Sequence, residues 1–179
     1  APIVTFPRGQ PRPGMPITAP GPIVQPPAIS TSSPIMTNVT ASVSGGANDN
    51  VGVYNTSSSS PTMTNVTASA SGGTNNYGVA NVSSSTIMTN VTASASGGTS
   101  NNYGVYNNNS SATINNSVIN ASSVGIKSIA ASGTYTVLVT NSQISGSINT
   151  IHSETEFTTR IGASQLSGGA IGGGGTVTC

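Results

Sequence analysis

The chain has 179 residues, of which 4% are charged and 4% aromatic, with no tryptophan and a formal net charge of +1. That is about one domain's length with charge far below the roughly 25% of ordinary domains, so amides and hydroxyls carry its polarity and little repulsion keeps copies apart. The basic residues Arg8, Arg12, Lys127 and Arg160 are scattered, which excludes a phosphate-neutralising patch and nucleic acid as a partner, and no run approaches the roughly 20 apolar residues of a membrane span.

Residues 1–34 form a segment of their own. Ten of the eleven prolines lie between Pro2 and Pro34. Proline fixes φ, removes an amide donor and biases its predecessor towards extended backbone, so an extended, polyproline-II-like arm is predicted. Between the prolines, Ile3, Val4, Met15, Ile17, Ile23 and Val24 are the side chains expected to contact neighbouring copies. At about 3.1 Å per residue, roughly 30 such residues reach about 90 Å. A chain that begins Ala1-Pro2-Ile3 is expected to be a processed one, exported to the cell surface or beyond after signal-peptide removal.

Residues 35–179 read as a repeat domain. MTNVTASVSGGA begins at Met36, and MTNVTASASGGT begins at Met63 and again at Met88. Each copy is followed by a Gly-Val motif: Val51-Gly52-Val53-Tyr54-Asn55, Tyr77-Gly78-Val79-Ala80-Asn81 and Tyr103-Gly104-Val105-Tyr106-Asn107. Degenerate copies continue at Ile114, Val139 and Ile161, giving intervals of 27, 25, 26, 25 and 22 residues. Two places after each start stand Asn38, Asn65, Asn90, Asn116, Asn141 and Ala163; five places after stand Ala41, Ala68, Ala93, Ile119, Ile144 and Leu166.

A fixed period of this length, written in β-branched and small polar residues, predicts an all-β fold: a single parallel β-solenoid of about six rungs. Val39, Ala41 and Val43 alternate inward and Met36 is out of phase with them, which places a corner at Thr37-Asn38. Asparagine suits a corner because it tolerates left-handed backbone and bonds to nearby groups. Stacked, Asn38, Asn65, Asn90, Asn116 and Asn141 are expected to form an amide ladder, and Asn55, Asn81 and Asn107 a second one. Helical repeats are excluded by the accumulated penalties of Asn, Ser, Thr, Gly and Val. A β-sandwich competes, but does not explain a constant period with one recurring corner residue. The Gly-rich end from Gly168 reads as a loop and a last short strand, Thr176-Val177-Thr178.

The words MTNVTASASGGTNNYGV and NYGVYN resemble the repeats of secreted and cell-surface bacterial proteins of the right-handed parallel β-helix class. The likeness covers about residues 35–175. It implies the solenoid fold and an extracellular setting, but that fold hosts lyases, adhesins, phage fibres and structural proteins alike.

Chemistry is sparse. His152, Glu154 and Glu156 alternate, with Arg160 four residues beyond, a pattern able to support acid–base work but more simply an exposed charged turn. Asp49 stands alone. With one histidine and one cysteine, Cys179, no metal-ligating set is expected, and neither catalytic residues nor a cofactor are assigned. The Asn-X-Ser/Thr triplets at Asn38, Asn65, Asn81 and Asn90 match glycosylation acceptors, but in this composition they read mainly as ladder positions. The expected function is a non-enzymatic structural subunit of an extracellular bacterial filament. Its solenoid edges stack on further copies and its arm straps neighbours. The alternatives are a surface adhesin or glycan-binding module, with a surface glycan as partner and Tyr54, Tyr77, Tyr103 and Tyr106 as its aromatic ladder, a trimeric phage fibre segment, and a polysaccharide lyase.

Overall fold

The computed structural model describes residues 33–179. The arm contacts assigned above to Ile3, Val4, Met15, Ile17, Ile23 and Val24 lie outside the described residues. The rest is all-β, with three strands to each early turn. The first turn holds β1 (Ile35–Thr37), β2 (Thr40–Ser44) and β3 (Asp49–Asn55); the second, β4 (Thr62–Thr64), β5 (Thr67–Ser71) and β6 (Asn75–Val82). The third holds β7 (Thr86–Thr89), β8 (Thr92–Ser96) and β9 (Asn101–Asn108), and the fourth β10 (Ala112–Asn115), β11 (Val118–Ala121) and β12 (Val124–Ile129). Then come β13 (Tyr135–Thr140) with β14 (Gln143–Ser153), β15 (Phe157–Gly162) with β16 (Gln165–Gly172), and β17 (Thr176–Thr178).

Every strand pairing among the described residues is parallel, which rules out the sandwich. One seven-stranded sheet runs β1-β4-β7-β10-β13-β15-β17. The other two faces merge into a ten-stranded sheet, because β14 runs through the corner that separates β11 from β12 one turn earlier. The six repeat starts pair in unbroken register, Met36 with Met63, then Met88, Ile114, Val139 and Ile161. They bound about five turns; the sixth copy opens a coil that stops at β17.

The fold follows from what each position can supply. Met63, Met88, Ile114 and Val139 are completely buried, as are Ala68, Ala93, Ile119 and Ile144 on the second face and Val79, Val105, Ile126 and Ile151 on the third. These stacks form one continuous core. The corner asparagines all adopt left-handed backbone, φ 48 to 56°, and Ala163 follows them at 46°. The second corner turns on glycine in the first three coils (Gly45 φ 75°, Gly72 84°, Gly97 70°), a conformation costing other residues about 1–2 kcal/mol. Later coils lose this turn, and the last interval is the shortest, 22 residues against 27 in the first.

Candidate functional site

The asparagines form ladders of two kinds. At the exposed corner, Asn116 Nδ2 donates to Asn90 Oδ1, Asn90 Nδ2 to Asn65 Oδ1 (3.0 Å) and Asn65 Nδ2 to Asn38 Oδ1 (3.1 Å). Asn141 keeps the corner conformation and donates its backbone N–H to the Gly162 carbonyl at 3.1 Å. At the end of the third face, Asn55, Asn81 and Asn107 point inward and are buried. Here donation runs the other way: Asn55 Nδ2 to Asn81 Oδ1 (2.9 Å), Asn81 Nδ2 to Asn107 Oδ1 (2.8 Å), Asn107 Nδ2 to Ser128 Oγ (3.3 Å).

A third ladder escaped the sequence reading. Asn50, Asn76 and Asn102 are at most 3% exposed. Asn50 Nδ2 donates to Asn76 Oδ1 (3.1 Å) and Asn76 Nδ2 to Asn102 Oδ1 (2.9 Å). Each Asn76 and Asn102 oxygen also accepts from a turn amide, Gly73 N and Gly98 N. Because donation in both buried ladders points towards the C-terminus, the acceptor left over sits at the N-terminal end. Asn50 Oδ1 is buried there without a hydrogen-bond partner.

That end is open. Met36, Val39, Ala41, Val43, Val51 and Val53 line a cavity of about 340 Å³ at the first coil. Their counterparts one turn on are covered, Met63, Val66 and Ala68 being no more than 1% exposed. Among the described residues no strand covers the free edges of β1, β2 and β3.

A second feature lies on the outward side of the third face. Tyr77, Tyr103 and Tyr106 gather with ring centroids 5.3 to 5.9 Å apart. Tyr54 stands in the same row as Tyr106, separated from it by Ala80, so the four tyrosines make a cluster of three and one apart, not a ladder. Burial pushes all three clustered phenols up, with the Asp49 carboxylate and the other phenols adding at Tyr77, which reaches about 12 from the ordinary 10.0. The fold thus favours the neutral phenols. The stability they contribute is complete below the ordinary phenol value and is lost as pH rises through the raised ones, about 12 at Tyr77. An alkaline titration followed in the phenolate absorption band is expected to show these three tyrosines ionising late, and unfolding to follow them; ordinary titration of these three would contradict the clustering.

The charged residues around the turn divide between the two sheets. Register places His152 beside Lys127 on the third face, while Arg160 sits on β15 in the other sheet. Lys127 Nζ reaches Glu154 Oε1 at 3.8 Å. Burial lowers the Lys127 ammonium, opposed by Glu154. It also lowers the His152 imidazole, helped by Lys127 and opposed by Glu154. Among the described residues no three His, Cys, Asp or Glu side chains come together, and no helix is long and apolar enough to cross a membrane. Comparison with protein-family models, curated proteins and solved structures gave no match.

Proposed function

We propose that this chain is a non-catalytic structural subunit of an extracellular bacterial filament, joined end to end through the edges of its solenoid and strapped by its Pro-rich arm. The observation that carries this reading is the N-terminal end of the coil: among the described residues it has three free strand edges around an open apolar cavity, with the Asn50 side-chain oxygen buried and unpaired. An unpaired buried acceptor costs about 1–3 kcal/mol, and open edges are normally capped or charged. One occupant relieves all of this at once, a further coil laid on β1, β2 and β3. The C-terminal end of another copy offers such a coil, β17 for the first face and β16 for the other two.

The ends are not identical, since the corner at 45–48 has no counterpart within β16. That overhang gives the joint a direction, and a head-to-tail contact builds an open fibre. Val43→Lys sets a charge at the cavity wall of the edge strand β2. It is expected to abolish filaments in electron micrographs of the purified protein while the β-type circular dichroism is kept. Normal filaments from this variant, or side-by-side trimers from the parent chain, would defeat the reading.

A further inference from the structure

The arm, residues 1–32, is a demanding ligand. Nine of these 32 residues are prolines, which offer ring faces and carbonyl acceptors but no amide hydrogen with which to extend a sheet. Surfaces that hold such strands combine aromatic rings with hydrogen-bond donors. The outward side of β6 and β9 has both. Tyr77, Tyr103 and Tyr106 supply contiguous rings. Tyr103 already donates its hydroxyl to Asn101 Oδ1 at 2.7 Å. Tyr106 instead accepts from Asn108 Nδ2 at 3.3 Å, which leaves its own O–H to give away, and the Tyr77 hydroxyl takes no partner among the described residues.

Charge agrees. Residues 1–32 hold Arg8 and Arg12 and no acid, whereas residues 33–179 hold three acids against Lys127 and Arg160, a net −1 beside the arm's +2. Asp49 is near enough for its charge to be felt at Tyr77, whereas Glu154 is already paired with Lys127, the neighbour of Tyr106 in register. Reach is ample as well. Five turns span about 24 Å along the axis, against about 90 Å for an extended arm, so an arm from an adjoining copy arrives with length to spare.

We propose that the tyrosine face formed by Tyr77, Tyr103 and Tyr106 is the receptor for the Pro-rich arm of a neighbouring copy. Arm carbonyls accept from the Tyr77 and Tyr106 hydroxyls, proline rings lie on the phenol faces, and an arginine turns towards Asp49. This rests on the end-to-end reading for the identity of the donor, not for the chemistry of the face.

The test uses the full chain with a photoreactive benzophenone residue in place of Phe6, assembled from equal parts of ¹⁵N-labelled and unlabelled protein. Cross-links are mapped by mass spectrometry alongside electron microscopy of the same sample. The expected result is cross-links onto residues 77–108 that join labelled to unlabelled chains. Tyr77→Ala with Tyr106→Ala should reduce them several-fold, and Tyr77→Phe with Tyr106→Phe, which keeps the rings and removes the donors, should reduce them less. Cross-links onto the groove around Ile87 and Leu138, links confined to chains of one isotope, or displacement of the arm by soluble oligosaccharides would overturn the assignment. Intact filaments in those cases leave end-to-end stacking standing, whereas mixed-isotope links to the tyrosine face without filaments uphold the receptor and sink the stacking.

Discussion

Gly78→Ala is expected to cost about 4 kcal/mol or more, enough to place it in the exceptional tail of single substitutions. A Cβ at this position meets the Gly104 carbonyl oxygen at 2.6 Å, the Ser94 amide nitrogen at 2.7 Å and the Ala93 carbonyl carbon at 3.1 Å. All three are backbone atoms of neighbouring strands, so no side chain can swing away. The third face passes so close to the second that only hydrogen fits between β6 and β8. Gly52 stands in the same position one turn earlier, against the Gly78 carbonyl oxygen and the Ser69 amide nitrogen. Gly45→Ala is the informative control. Its φ of 75° penalises alanine by about 1–2 kcal/mol, but nothing lies within 4 Å of the added carbon. Urea unfolding of both variants separates the effects: a large loss at Gly78 and a small one at Gly45 is the expected order, and equal losses would mean that the strands around Gly78 give way to the added carbon.

This close approach explains why part of the molecule was legible in the sequence and part was not. The corner is readable because Asn38, Asn65, Asn90, Asn116 and Asn141 recur at one place, and only a left-handed backbone rewards that choice at every turn. The core is readable from alternation on the first two faces. On the third face alternation breaks: Tyr77 faces out, Gly78 and Val79 both face in, and Tyr106 faces out again in the next coil. A simple two-residue period therefore misassigns that strand. The ladder of Asn50, Asn76 and Asn102 was hidden for a related reason. It sits in the doublets Asn75-Asn76 and Asn101-Asn102, where one residue of each pair is inside and the other outside. The first coil carried the clue, since Asp49 holds the outer place: a carboxylate without a cation beside it stays in water, and so Asn50 goes in. Clustering of three tyrosines, with Tyr54 left apart by Ala80, needs register between coils, which the one-dimensional pattern does not supply.

Asn81→Leu should bring the fold close to unfolding, although leucine keeps the number and branching of asparagine's side-chain heavy atoms. Asn81 accepts from Asn55 Nδ2 at 2.9 Å and from Thr86 Oγ1 at 2.8 Å, and it donates to Asn107 Oδ1 at 2.8 Å. Its side chain is completely buried. Leucine strands all three partners in the dry core at about 1–3 kcal/mol each, against a total stability of about 5–15 kcal/mol for a domain of this kind. The exposed ladder behaves differently, because water replaces a lost rung there. Asn90→Gly retains the left-handed corner and should cost less than about 1 kcal/mol. Asn81→Asp then tests the direction of donation. Its carboxylate can still accept from Asn55 and Thr86, but faces the Asn107 oxygen with no hydrogen to offer. The folded protein therefore raises this carboxyl's pKa above its unfolded value of about 3.9. The sign follows: stability is greatest below that unfolded value, where the protonated acid donates as asparagine did, and falls as pH rises through the folded value. Urea midpoints for Asn81→Asp should be higher in mild acid than at neutral pH, whereas the parent, whose His152 imidazole is lowered by burial, gains nothing from mild acid. The same midpoint at both pH values would mean that Asn107 is not the acceptor of this rung.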